Sequence, residues 1–348
     1  MFGTSCVSPG IFVPKLSLPV RLALLVAGTT LPLIVFAAGI VLYNYNQDRS
    51  DATQRVLETV RSIRLVLDAE VQRMTGGLQV LALTSSLRAG DYDTFRPIAI
   101  GFLAQYGRDG VVLVADRQGR QVFSSVTADT ASLPPRNNRA IVEKVFESKQ
   151  PAYSNLFLGA VKQKLIITVE VPVIKDGEVA HVISFSPPIE IFQAIIEKQR
   201  PSQEWTISIF DGEGTNFARV PNPRDTIGQR ASPTLFAEMF RTDEATLTTV
   251  TLEGVPLITS FTRSALTGWT VAGGIPENSL VRPLWRNLAI TSAIGGLLLL
   301  VGLAFAVRMA TTIARGETLQ DLLVEELNHR VKNTLAILQS IGAQTVRS

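Results

Sequence analysis

Two runs without a single charged residue, Leu22 to Tyr43 and Asn287 to Val307, constrain this chain more than any other feature in it. Each holds about 20 residues, and at ~1.5 Å per residue such a helix crosses a hydrocarbon layer of ~30 Å. Composition points the same way, with 46% hydrophobic and only 18% charged residues. The formal charge of +3 is too small to indicate a nucleic-acid partner. Cys6 is the only cysteine and the histidines number two, so neither a disulfide within the chain nor a Cys/His metal centre is expected.

The first run reads as an uncleaved anchor, because apolar residues continue past the small-residue stretch at Phe36-Ala37-Ala38. Lys15 and Arg21 precede it, and Arg308 and Arg315 follow the second run, which places both termini in the cytoplasm. Trp285 suits the outer interface. The expected order is a cytoplasmic segment 1–21, a span 22–43, an outer segment 44–286, a span 287–307 and a cytoplasmic segment 308–348.

In the outer segment, Val56, Val60, Ile63, Leu67, Val71, Met74, Leu78 and Leu81 recur at steps of three and four. That spacing predicts a long amphipathic helix over 44–84, whose stripe packs on the domain behind it or pairs with a second copy. Past Gly107 the period changes to that of strands. "VVLVADRQGRQVFSS" (111–125) reads as strand, tight turn, strand, with Asp116 and Gly119 forming the turn. "WTISIFDGEGTNFAR" (205–219) repeats it, with Asp211 and Gly214 offset by 95 positions from their counterparts. A short helical stretch follows each hairpin (138–148 and 233–240), and further strands follow each helix. Two α+β modules are expected, 85–200 and 201–286.

This outer organisation resembles a double Cache sensor domain. The resemblance implies two tandem PAS-like antiparallel-sheet modules, the first of them distal to the membrane and holding a small ligand. Tyr153, Phe157, Lys162 and His181 lie on strands that such a pocket would use. The competing reading makes each a core or surface residue, and for His181 the alternation with Val179 and Ile183 favours the core.

After the second run, Leu319, Leu323, Leu327, Val331, Leu335, Leu338 and Ile341 form a helical stripe. His329 points away from it, sharing a polar face with Glu325, Glu326, Lys332 and Asn333. An exposed imidazole on such a ridge is open to in-line attack on a phosphoryl group. The segment from Glu326 to Leu335, "ELNHRVKNTL", resembles the phosphoacceptor box of HWE-type sensor histidine kinases and their nearest relatives. The resemblance implies that His329 is phosphorylated and that Arg330 and Asn333 belong to the box; Glu326 is the candidate base. It also implies ATP as phosphate donor, bound by a catalytic domain that these residues do not include, a homodimer formed through the membrane-proximal and phosphoacceptor helices, and a response-regulator partner.

The fold class expected is therefore an α+β membrane protein: two transmembrane helices flanking two tandem antiparallel-sheet modules, then a cytoplasmic helix. Its place would be a bacterial inner membrane, with the sensor in the periplasm. The expected function is that of a two-component sensor histidine kinase. The alternative is a double Cache receptor or decoy subunit that binds ligand without enzymatic activity.

Overall fold

A computed structural model describes residues 17–131, 133–161, 163–221 and 225–345, with side chains described up to Ala336 except at 317 and 321. The chain falls into two units, Gln47–Val281 and the terminal segments Met1–Asn46 with Arg282–Ser348.

Helix α1 (Leu18–Ala82) and, at the other end of the chain, a 68-residue helix (Asn278–Thr345) contain the two uncharged runs. Both are long and apolar enough to cross a membrane. In the terminal unit the two runs pack side by side through small residues. A Cβ added at Gly295 would meet Ile34 at 2.6 Å, and one at Gly302 would meet Val26 at 2.7 Å. Large apolar side chains such as Leu33, Phe36, Leu300 and Phe305 remain exposed.

The other unit begins with the rest of α1, then α2 (Ser85–Ala89) and α3 (Tyr92–Tyr106). The Asp91 carboxylate caps α3 by accepting from the Thr94 amide at 3.2 Å. Then come β1 (Val111–Ala115), β2 (Gln121–Ser124), α4 (Arg139–Ser148), β3 (Ala152–Tyr153), β4 (Phe157–Leu158), β5 (Leu165–Ile166), β6 (Val169–Lys175) and β7 (Glu178–Ser186). Helix α5 (Ile189–Gln199) leads to β8 (Thr206–Phe210), β9 (Asn216–Val220), α6 (Pro233–Met239), β10 (Glu244–Val250), β11 (Pro256–Arg263) and β12 (Thr270–Pro276). The long helix from Asn278 is then α7.

Two five-stranded antiparallel sheets result, ordered β2-β1-β7-β6-β3 and β9-β8-β12-β11-β10. The order is the same strand for strand, as the sequence repeat requires. Local chemistry repeats as well. Asp116 Oδ1 accepts from the amides of Gln118 and Arg120, and Asp211 Oδ1 from those of Glu213 and Thr215. Gly119 and Gly214 both take φ of +77°, a region costly for any residue with a Cβ.

Each sheet buries one face against α1. Val60, Ile63, Leu67 and Val71 enter the core of the second sheet with Phe192, Ile209, Phe217 and Trp269. One turn further on, Met74, Leu78 and Leu81 enter the core of the first sheet with Phe95, Phe123, Val171 and Phe185. All of these α1 residues except Leu81 have no exposed surface, and Leu81 has 5%. The segment after β3 ties the modules together: the indole of Trp269 donates to the Ser154 carbonyl at 3.2 Å, and the Leu156 amide donates to Asp211 at 2.8 Å.

The second sheet and α1 approach closely at Gly273, where a Cβ would meet Val60 Cγ1 at 2.7 Å. Val60 is β-branched and fixed on its helix, so it cannot swing aside. Gly273→Ala is expected to destabilise the fold by about 1–3 kcal/mol, and Val60→Ala in the same chain should recover part of the loss. Thermal denaturation of the two single variants and the double variant measures this.

Candidate functional site

The phosphoacceptor candidate lies on α7. Leu319, Leu323, Leu327, Val331 and Leu335 form one stripe along it and are each at least half exposed. Leu338 and Ile341, expected to extend this stripe, fall beyond the described side chains. His329 is exposed on another face. Its Nδ1 lies 3.3 Å from Asn333 Nδ2, one helical turn on. Rotating the amide by 180° exchanges its two atoms, so Asn333 can present either a donor or Oδ1 to the imidazole. With Oδ1 accepting from Nδ1–H, the Nε2 lone pair points outward, as a nucleophile requires. Glu326, expected as the base, is instead engaged along the helix: the Arg330 Nε donates to its Oε1 at 2.8 Å. The residue that reaches the imidazole is Asn333.

The ligand-site candidates separate in the structure. Phe157 lines a cavity of about 50 Å³ in the first module, on the sheet face away from α1. The β4–β5 hairpin covers it, and Val111, Leu113 and Ile166 make it mainly apolar. Tyr153 is not in this cavity. Its hydroxyl lies 3.4 Å from Thr75 Oγ1 on α1 and its ring packs edge-on to Trp269, so it belongs to the joint between modules. His181 is also absent from the lining. A bulge at Ala180, where Val173 pairs with His181 and Ile174 with Val179, breaks the alternation expected to align His181 with Val179. Val179 packs with Val182 against α4, while Ile183 faces α1 and α3. Burial holds the half-buried His181 imidazole below its ordinary pKa, Asp116 opposes this and Lys175 adds to it. Lys162 lies outside the described residues.

The sequence reading missed the polar heart of this cavity. Arg136 is 5% exposed and Glu170 fully buried. Arg136 Nη1 donates to Glu170 Oε2 at 2.9 Å and to Ser184 Oγ at 2.7 Å, and the Ser184 hydroxyl in turn donates to Glu170. The guanidinium is thereby neutralised from within. Gln121 is also buried: its Nε2 donates to the Pro134 carbonyl at 2.7 Å, but its Oε1 has no partner among the described residues. A neutral apolar cavity with an unanswered acceptor suits a small ligand carrying a donor. The sequence signal available was a glutamate inside the apolar strand "ITVEVPV".

Residues 326–348 match the family model described as HWE histidine kinase. No curated protein matches the chain. Among solved structures, the extracellular domain of a protein described as a histidine kinase, soHK1S-Z6, aligns over 69% of this chain and 99% of its own at 14% identity, with a TM-score of 0.53. A methyl-accepting chemotaxis protein aligns over 66% of this chain and all of its own at 12% identity and a TM-score of 0.54. The ligand-binding domain of the Pseudomonas fluorescens chemoreceptor CtaA, solved with L-isoleucine, aligns over 69% and 98% at 12% identity and a TM-score of 0.51. At these identities the likeness is one of fold. The fold is shared with these three domains, and residues 326–348 carry the match to the HWE histidine kinase model.

Burial alone would raise the Glu170 pKa, but Arg136 and Ser184 hold it below its ordinary 4.5. The stability this supplies is present above pH 4.5 and is lost as pH falls through the depressed folded value. Arg136→Met, which leaves the carboxylate buried and unpaired, should cost about 3–5 kcal/mol at neutral pH. Replacing both partners (Arg136→Met with Glu170→Leu) should cost far less and flatten the loss of melting temperature between pH 5 and pH 3. Thermal melts across that range check both outcomes.

Proposed function

We propose that this chain is the sensing and phosphoacceptor part of a membrane-bound two-component histidine kinase. The observation that carries the reading is His329, exposed on α7 inside the segment that matches the HWE histidine kinase model. The two apolar runs span the membrane. Unit Gln47–Val281 is a double Cache sensor in the periplasm, and both termini are cytoplasmic. The exposed leucines and phenylalanines of the terminal unit face lipid, which accounts for a surface too apolar for water.

In the proposed chemistry, Nε2 of His329 attacks the γ-phosphorus of ATP held by a separate catalytic domain. The new N–P bond forms as the bond to the bridging β–γ oxygen breaks, and ADP leaves with that electron pair. Asn333 Oδ1 holds Nδ1–H and keeps the imidazole in the tautomer that leaves Nε2 free. The role is that of the acidic neighbour found in other histidine kinases, which Arg330 cannot play. Arg330, paired with Glu326, stands as a cation beside the incoming phosphate. A response-regulator aspartate then receives the phosphoryl group. The apolar stripe from Leu319 to Leu335 packs against a second copy. Because α7 is helical from Asn278 to Thr345, ligand binding acts on His329 through a shift or rotation of that one element.

The shared fold of chemoreceptor ligand-binding domains supports a second reading, a receptor that binds ligand and does not carry phosphate. Incubating membranes with ATP and the ATP-binding domain of a related kinase separates the two. Acid-labile label on the wild type, absent from His329→Gln, is the expected result. Asn333→Ala should lower the labelling rate by about tenfold, and Asn333→Asp should retain it. No label on either would favour the receptor, and equal label on both would place the phosphoryl group on a residue other than His329.

A further inference from the structure

The second module holds a cavity of its own, also about 50 Å³, on the face of the sheet away from α1. It matches the position of the first cavity in the repeat, yet its chemistry is reversed. Where the first encloses a neutralised Arg136, the second is lined by two arginines, Arg219 and Arg230, and among the described lining residues there is no carboxylate. Ser208 and Thr259 form its floor, and Leu235 and Leu257 give it one apolar wall.

Two of the residues lining this space each carry a buried polar atom with no partner among the described residues. Among the described residues, the Nε of Arg219 on β9 (7% exposed) has no acceptor, and the Oδ1 of Asn216 on the same strand (3% exposed) has no donor. A bulge between the pairings Ile209–Ala218 and Phe210–Asn216 brings both side chains to one face of β9. Leaving a buried guanidinium nitrogen unanswered costs more than leaving a neutral group so. One terminal nitrogen of Arg219 does have a partner: Nη2 donates to Glu253 Oε2 at 2.9 Å. Glu253 sits on the β10–β11 turn with its side chain 41% exposed, free to leave for water.

We infer that this cavity is a second ligand site, for a small organic carboxylate of about two to four carbons. Its carboxylate occupies the Nε side of the Arg219 guanidinium, its short alkyl end lies on Leu235 and Leu257, and a hydroxyl or water it carries donates to Asn216 Oδ1. The room of about 50 Å³ suits a small molecule. Glu253 is the internal carboxylate that competes for the same arginine. The inference does not rest on His329 or on phosphate transfer.

Isothermal titration of the full chain in lipid nanodiscs with acetate, propionate and propionamide tests it. Propionate should bind in the micromolar to millimolar range, and its neutral amide should not. Asn216→Asp keeps side-chain size but adds a negative charge to the cavity, and it should weaken propionate by about tenfold or more. Arg219→Ala should do the same. Glu253→Gln, which removes the competitor, should tighten binding severalfold, an outcome no unfolded variant gives. Gln121→Met, in the first module, should leave propionate binding unchanged, and so should His329→Gln. Propionate binding that survives Asn216→Asp and vanishes in Gln121→Met would overturn the assignment by moving the site to the first module. So would equal binding of propionamide, or no binding of acetate or propionate up to ~10 mM.

Discussion

The rest of this structure depends on one apolar ridge along α1, shared by two sheets. Val60 to Val71 close the core of the second sheet and Met74 to Leu81 close that of the first. At about 1.5–3 kcal/mol for each large side chain fully buried, the six residues from Val60 to Leu78 account for a stabilisation comparable to the net stability of a whole domain. A five-stranded antiparallel sheet needs one covered face and can leave the other partly wet. Because α1 covers the first face of both sheets, the second face of each is left to α4 or α6 and to the cavity beside it. The joint at Ser154, Leu156, Asp211 and Trp269 then fixes the two modules to each other beside that helix.

The two outward faces illustrate how a repeat diverges. The backbone is the same: the same strand order, the same Asp-led turn, the same left-handed glycine at 119 and 214. The loop after the hairpin even returns with the same hydrogen bond, Arg136 to the Gly119 carbonyl and Ala231 to that of Gly214. At this equivalent place one module carries a buried arginine answered by Glu170, and the other carries alanine. The second cavity takes its guanidinium groups instead from Arg219 and Arg230, and the buried Arg219, on β9, pairs with Glu253 on an exposed turn. One face thus reads as neutral and the other as cationic, on a common frame.

Periodicity made part of this legible in the sequence. The α1 stripe, the offset of 95 positions and the Asp176-Gly177 turn, where both residues take positive φ, follow from spacing and turn chemistry. The stripe's destination was left between the domain and a second copy, and burial assigns it to the domain. Helix α3 was missed although its cap, Asp91, and its apolar set Phe95, Ala99, Phe102 and Leu103 were in view. His181 was aligned with the wrong neighbour because a bulge at Ala180 has no sequence signature of its own. The Arg136–Glu170 pair joins residues 34 positions apart, and neither Gln121 nor Asn216 differs in type from a surface residue. Unanswered polar atoms exist only once the chain has folded around them. On α7, the stripe and the outward face of His329 followed from 100° per residue. Which neighbour reaches the imidazole did not, since Glu326 and Asn333 are both within one turn.

Hydrogen exchange across the whole chain, comparing wild type with Leu67→Ala, tests most directly whether α1 makes the two sheets one cooperative unit. Leu67 belongs to the core of the second sheet. The shared ridge predicts that β6 and β7 of the first sheet lose amide protection together with β8 and β12 of the second. Loss confined to β8 and β12, with β6 and β7 exchanging as in wild type, would contradict it.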